Sequence, residues 1–88
     1  MNFSDALNLL KEGKKIARSG WNGKGMWLEV QRPDEASKMT LPYVFMSIPL
    51  GSTHQFDGRE TVSRDGIERV PWLCSQTDML TEDWEEVI

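Results

Sequence analysis

The chain has 88 residues, 39% of them hydrophobic and 27% charged, ordinary usage for a soluble protein of one domain spanning residues 1–88, with no room for a second core. Ten Lys and Arg against 14 Asp and Glu leave a net charge of −4, which disfavours nucleic acid or an anionic membrane as partner. The opening Met1-Asn2-Phe3-Ser4-Asp5 has no basic leader, no stretch approaches the ~20 apolar residues of a spanning helix, and a cytoplasmic protein is expected.

Phe3, Ala6, Leu7 and Leu10 recur at helical spacing, with Ser4 as a candidate N-cap and Gly13 as a stop, which predicts a short amphipathic helix from about Asp5 to Glu12. Lys14 to Arg18 reads as a short strand. Met26, Leu28 and Val30 alternate with Trp27, Glu29 and Gln31, the pattern of a half-buried strand. Between them Gly20-Trp21-Asn22-Gly23-Lys24-Gly25 forms a glycine-rich turn in which the backbone can approach another group closely.

Arg32 to Thr40 is a polar connection, and Tyr43 to Ile48 is expected to be a well-buried strand. Pro49 to Arg59 reads as a loop, and Thr61-Val62-Ser63, the turn Arg64-Asp65-Gly66 and Ile67-Glu68-Arg69-Val70 suggest a hairpin. Trp72-Leu73-Cys74 is expected to continue as a strand, and Asp83 to Val87 to form a terminal strand. The fold class that follows is α+β, a short N-terminal helix packed on a mainly antiparallel sheet. A domain this small buries only about 60% of its unfolded surface, so self-association through open sheet edges is expected.

Four tryptophans stand in the chain. Trp72 and Trp84 lie in apolar strands and suit a core or a subunit interface, whereas Trp21 stands in the glycine-rich turn, where a ring is displayed and can stack on a planar base. Asn22 and Lys24 beside it could meet an anion, although the spacing matches no established phosphate loop. Ser75-Gln76-Thr77-Asp78 offers hydroxyls, an amide and a carboxylate to a ribose or a base edge. The same residues also fit a helix capping box, and the pattern leaves both readings open.

Cys74 is the single cysteine, so no internal disulfide or multi-thiolate zinc site can form, and a buried, inert thiol is expected. The single histidine, His54, is remote in sequence from Cys74 and Ser75, so no catalytic pair is evident. The acidic tail Glu82, Asp83, Glu85 and Glu86 is expected to be a solvated edge rather than a metal site, and no metal or cofactor is expected.

The segments Ala17-Arg18-Ser19-Gly20-Trp21-Asn22-Gly23-Lys24-Gly25-Met26 and Trp72-Leu73-Cys74-Ser75-Gln76-Thr77-Asp78-Met79-Leu80-Thr81-Glu82-Asp83-Trp84, with the opening Asn2-Phe3-Ser4-Asp5-Ala6-Leu7, resemble the signature segments of the Thoeris anti-defence sponge family, second type, found in phages and prophages. The resemblance implies a non-catalytic homotetramer that captures a cyclic ADP-ribose isomer, glycocyclic ADP-ribose, made from NAD by a bacterial TIR-domain enzyme, so that the Thoeris effector is not switched on. It implies that Trp21 stacks on the adenine with Asn22 beside it, and that Asp78 with Ser75, Gln76 or Thr77 binds ribose or base groups. Arg18 and Lys24 are added here as phosphate partners. The alternatives are a cyclic-nucleotide hydrolase using His54 or Asp78 as base, and a small phage structural or adaptor protein whose tryptophans form a protein interface.

Overall fold

The computed structural model describes residues 1–21, 25–49 and 66–88 in full, together with the backbone of two short strands, at 55–56 and 59–60. In chain order the elements are α1 (Phe3–Lys11), β1 (Lys15–Arg18), β2 (Trp27–Gln31), β3 (Tyr43–Pro49), β4 (Gln55–Phe56), β5 (Arg59–Glu60), β6 (Ile67–Pro71), α2 (Gln76–Leu80) and β7 (Trp84–Val87). Five strands form one antiparallel sheet in the order β6-β3-β2-β1-β7, and β4 pairs with β5 separately. The α+β architecture expected from the sequence is therefore the one observed.

α1 begins two residues earlier than its spacing predicts, because Asn2 rather than Ser4 is the cap, its Oδ1 accepting from the Asp5 amide at 2.9 Å. It stops where expected: Gly13 follows with φ +87°, a conformation that disfavours a side chain. Ala6 and Leu10 face the sheet and are fully buried. They meet Ile16 of β1, Leu28 of β2 and Trp84 of β7 in a core that Phe3, Leu7, Leu9, Val30, Val44, Met46 and Trp72 extend.

The register explains this layering. Ile16 stands opposite Leu28, Leu28 opposite Met46, and Met46 opposite Val70, so one row of apolar side chains crosses the sheet on the helix side.

Three expectations are corrected. β3 is half-buried rather than well buried, and among its residues only Ser47 is fully enclosed. β6 pairs with β3, from Phe45↔Pro71 to Pro49↔Ile67. That pairing, not the hairpin expected with residues 61–63, holds the strand; residues 61–65 lie outside the described residues. The strand expected through Trp72-Leu73-Cys74 ends at Pro71, and Ser75 then starts α2. After the Trp72 amide donates to the Val44 carbonyl (3.0 Å), the chain leaves the sheet, Leu73 points into solvent at 90% exposure, and the Ser75 hydroxyl accepts from the Asp78 amide at 3.0 Å. Ser75 thus caps α2, as the capping-box reading expects.

Candidate functional site

β1 and β7 pair so that Arg18 stands opposite Trp84. This register brings the end of β1, Gly20 and Trp21 just after it, α2, and the residues leading into β7 to one place. Arg18 fills the centre. Its Nη1 donates to Asp78 Oδ1 at 2.6 Å, its Nε to Asp83 Oδ1 at 2.8 Å and its Nη2 to Asp83 Oδ2 at 3.3 Å. Charge-assisted bonds with this forked geometry are stronger and more directional than neutral ones. Arg18 and Asp78 side chains are only 14% and 13% exposed, so water competes weakly for them.

Asp83 does more than hold Arg18. Its Oδ2 accepts the Gly20 amide at 2.9 Å, its Oδ1 accepts the Thr81 hydroxyl at 2.8 Å, and its own carbonyl accepts the Ser19 amide at 3.1 Å. The acidic tail expected to be a solvated edge thus contains the residue that ties β7 to the turn after β1. Nothing in the local pattern Glu82-Asp83 marks it, since a carboxylate in an acidic run reads as solvated; apart from Thr81, its partners lie 63–65 residues away.

Trp21 is half-buried rather than displayed. Its ring meets Trp84 edge-on, with centroids 5.5 Å apart at 82°, and its Nε1 donates to Asp78 Oδ1 at 3.3 Å. Trp84 in turn contacts Phe3 at 5.5 Å and Trp72 at 6.0 Å, and its Nε1 donates to the Asp78 carbonyl at 2.8 Å. Asp78 is therefore the meeting point of a guanidinium and two indole N–H groups. An aromatic column, Phe3 and Trp72 on Trp84 and Trp21 on its edge, supports the site from the core.

The electrostatics follow from these contacts. Hydrogen bonds from Arg18, Thr81 and the Gly20 amide hold the Asp83 carboxyl well below the usual carboxylate range, at about 2. Burial works to raise Asp78, but bonds from Arg18, Ser75 and Trp21 outweigh it and keep that carboxyl below its ordinary value. Asp83 and then Asp78 raise the Arg18 guanidinium. Burial, with the nearby Asp78 charge, pushes the Cys74 thiol up, as suits the inert thiol expected from the sequence, although Cys74 is half-buried rather than buried.

Of the residues singled out from the sequence, Arg18, Trp21, Ser75 and Asp78 converge. Gln76 and Thr77 lie exposed in the first turn of α2. Asn22 and Lys24, like His54, lie outside the described residues. Arg18, expected to meet a phosphate, has all three guanidinium nitrogens directed at carboxylates, so in this structure it organises the site's wall. Among the described residues no group of three or more His, Cys, Asp or Glu side chains gathers to hold a metal ion, and no helix is long and apolar enough to cross a membrane.

The two segments that meet at Arg18 and Asp78 are those that carry the sequence resemblance. The family model for the Thoeris anti-defence 2-like domain matches residues 1–87. The chain belongs to the Thoeris anti-defence 2-like family. A Thoeris counter-defence role follows from that membership. The chain is also similar to Thoeris anti-defence 2 of Bacillus phage SP01, 35% identical over 89 residues that cover 99% of this chain and 94% of the relative. The family match thus also takes in residues 31–69, where the signature segments are absent.

Among the described residues of this Thoeris anti-defence 2-like domain, grooves also open beside Tyr43. One of about 210 Å³ is lined by Gln31, Pro33, Ser37, Lys38 and Met39; another of about 270 Å³ is lined by Lys11, Val30, Arg32, Pro42 and Val44. Both are smaller than the roughly 300–1,000 Å³ typical of pockets that enclose a drug-sized ligand.

Proposed function

We propose that this protein binds and sequesters a TIR-produced cyclic ADP-ribose isomer, glycocyclic ADP-ribose, without cleaving it, and so keeps the Thoeris effector from being switched on. The observation that carries this reading is the contact between Trp21 and Asp78, residues from two distant segments, joined through the indole N–H and backed by Arg18. An aromatic face beside a fixed carboxylate suits a purine with an attached ribose. In this reading Asn22 lies beside the base, Ser75, Gln76 and Thr77 meet ribose or base polar groups, and Lys24 meets a phosphate.

Capture without cleavage accords with the chemistry of the site. The Asp78 carboxyl is held ionised below its ordinary value by its donors, which makes it a weak general base, and the Cys74 thiol is pushed away from its nucleophilic form. Magnitude bears on assembly. A sponge that holds a scarce signal at nanomolar levels needs about −12 kcal/mol, whereas one base stack contributes about 1–3 kcal/mol. The remaining binding energy must come from several polar contacts in an enclosed pocket, and a chain this short encloses a ligand most readily by lending walls between subunits. We therefore propose a homotetramer with shared pockets, acting in the cytoplasm of an infected host.

The test is to mix purified protein with the signal, measure depletion from solution, denature the protein by heat and analyse what is released, with a light-scattering mass on the same sample. Stoichiometric depletion and recovery of the intact molecule is the expected outcome. A cleaved product, or turnover of ligand in excess of protein, would establish the hydrolase instead; no retained small molecule would favour the adaptor reading.

A further inference from the structure

We infer that Asp83 is the positioning residue of this site: it presets the Gly20 backbone and the Trp21 ring, through the Gly20 amide and Arg18, before any ligand arrives. The inference rests on the sequestration reading for its effect on affinity, but not for its effect on the ring.

Three observations support it. The carboxylate of Asp83 has both oxygens engaged by groups from the other signature segment, Gly20 N–H and Arg18 Nη2 on Oδ2, and Arg18 Nε on Oδ1, while Thr81 of its own segment also donates to Oδ1. The fit at Gly20 is close: a Cβ there would lie 2.5 Å from Asp83 Oδ2, nearer than a carbon and an oxygen can approach, so the carboxylate would have to move aside, and it would touch Arg18 Nη2 at 3.4 Å. The chain's next residue is Trp21, whose amide donates to the Arg18 carbonyl at 3.3 Å and whose indole reaches Asp78.

The physical consequence is a chain of fixed positions. Asp83 holds the Gly20 backbone on one side and aims the Arg18 fork at Asp78 on the other. Asp78 then offers Oδ1 to the Trp21 indole, while Trp84, next in sequence to Asp83, supplies the ring on which Trp21 rests. The same short segment therefore fixes the ring's edge, its N–H partner and the backbone that carries it. A ring ordered in advance loses less conformational entropy on binding, so Asp83 contributes to affinity without needing to touch the ligand. It stays ionised down to a pH of about 2, which keeps this arrangement in place throughout the physiological range.

The experiment compares hydrogen exchange of two indole N–H groups by NMR in the unliganded protein, alongside calorimetric affinity for the cyclic ADP-ribose isomer. In Asp83→Ala, exchange of the Trp21 Nε1–H is expected to rise at least tenfold, exchange of the Trp84 Nε1–H, bonded to the buried Asp78 carbonyl, to stay within twofold, and affinity to fall at least tenfold. Gly20→Ala, which displaces the Asp83 carboxylate without removing it, is expected to give the same split; should Asp83→Ala fail to protect Trp84, showing loss of the fold, this variant decides. Trp21 exchange and affinity that match wild type while Trp84 stays protected would overturn the positioning role. A wild-type protein that does not bind the isomer would overturn sequestration alone, and the exchange comparison would still decide the role of Asp83.

Discussion

Replacing Arg18 by Met keeps the apolar stem of the side chain and removes the fork that joins β1 to α2 and β7. The loss centres on Asp78, whose side chain is 13% exposed: a charged acceptor stripped of its strongest donor costs about 1–3 kcal/mol, reduced toward the lower half of that range because the Trp21 indole still donates to it. For an 88-residue domain with a total stability of about 4–13 kcal/mol, a loss of about 2 kcal/mol is a large fraction. With a urea dependence near 1 kcal/mol per molar, the unfolding midpoint should fall by roughly 1–2 M.

The sign of the pH dependence makes the prediction specific. In the wild type both carboxyls are held below their unfolded values, Asp83 at about 2, so their contribution is complete above about pH 4 and is lost as pH falls through the folded values. Without Arg18, the burial that works to raise Asp78 loses its main counterweight while Ser75 and Trp21 still donate, so that carboxyl rises from its wild-type position and the variant gives up less stability than the wild type as the pH falls. The deficit of Arg18→Met should therefore shrink between pH 7 and pH 4. Urea titrations followed by far-UV circular dichroism at pH 7, 5.5 and 4 measure it. A deficit that stays constant or grows on acidification, or one below about 0.5 kcal/mol at pH 7, would refute the assignment of Arg18 as the hub.

Trp84→Phe should destabilise by about 2–4 kcal/mol, since it opens a cavity among Phe3, Trp21 and Trp72 and leaves the Asp78 carbonyl without its 2.8 Å donor; thermal melts read this directly. Trp21→Ala should lower affinity for the cyclic ADP-ribose isomer at least tenfold by calorimetry while the light-scattering mass stays unchanged, because its ring lies on the edge of the core rather than within it. Ser75→Ala should cost about 1 kcal/mol by loss of the α2 cap and, by loosening the helix that carries Asp78, weaken binding less than Trp21→Ala does.

The parts of the fold that local patterning controls were legible in the sequence. Phe3, Ala6 and Leu10 at helical spacing and the alternation from Met26 to Gln31 become α1 and β2. α2 is harder to read because it has only five residues, follows the apolar run Trp72-Leu73-Cys74 and announces itself only through Ser75 and Asp78, a pattern that equally suits a ligand-binding strand end. The candidate site was half legible. Trp21 and Asp78 stand out by residue type and surroundings. Asp83 does not, because its importance comes from the β1–β7 register, which pairs Arg18 with Trp84 and which no local signal encodes. Arg18 reads as a free cation until that register places two carboxylates around it.

That register also has a consequence for when the protein can act. Strand β1, near the start of the chain, finds its outer neighbour only in β7, and the Arg18 contacts to Asp78 and Asp83 close loops of 60 and 65 residues. Pairings this remote are slow to form relative to hairpins and helices. A ribosome must release residues 78–84 as well as β1 before the first complete site exists, and a product without β7 would carry Trp21 with no Trp84 ring to rest on. Activity should therefore arrive in one step, once β7 has been made and paired with β1.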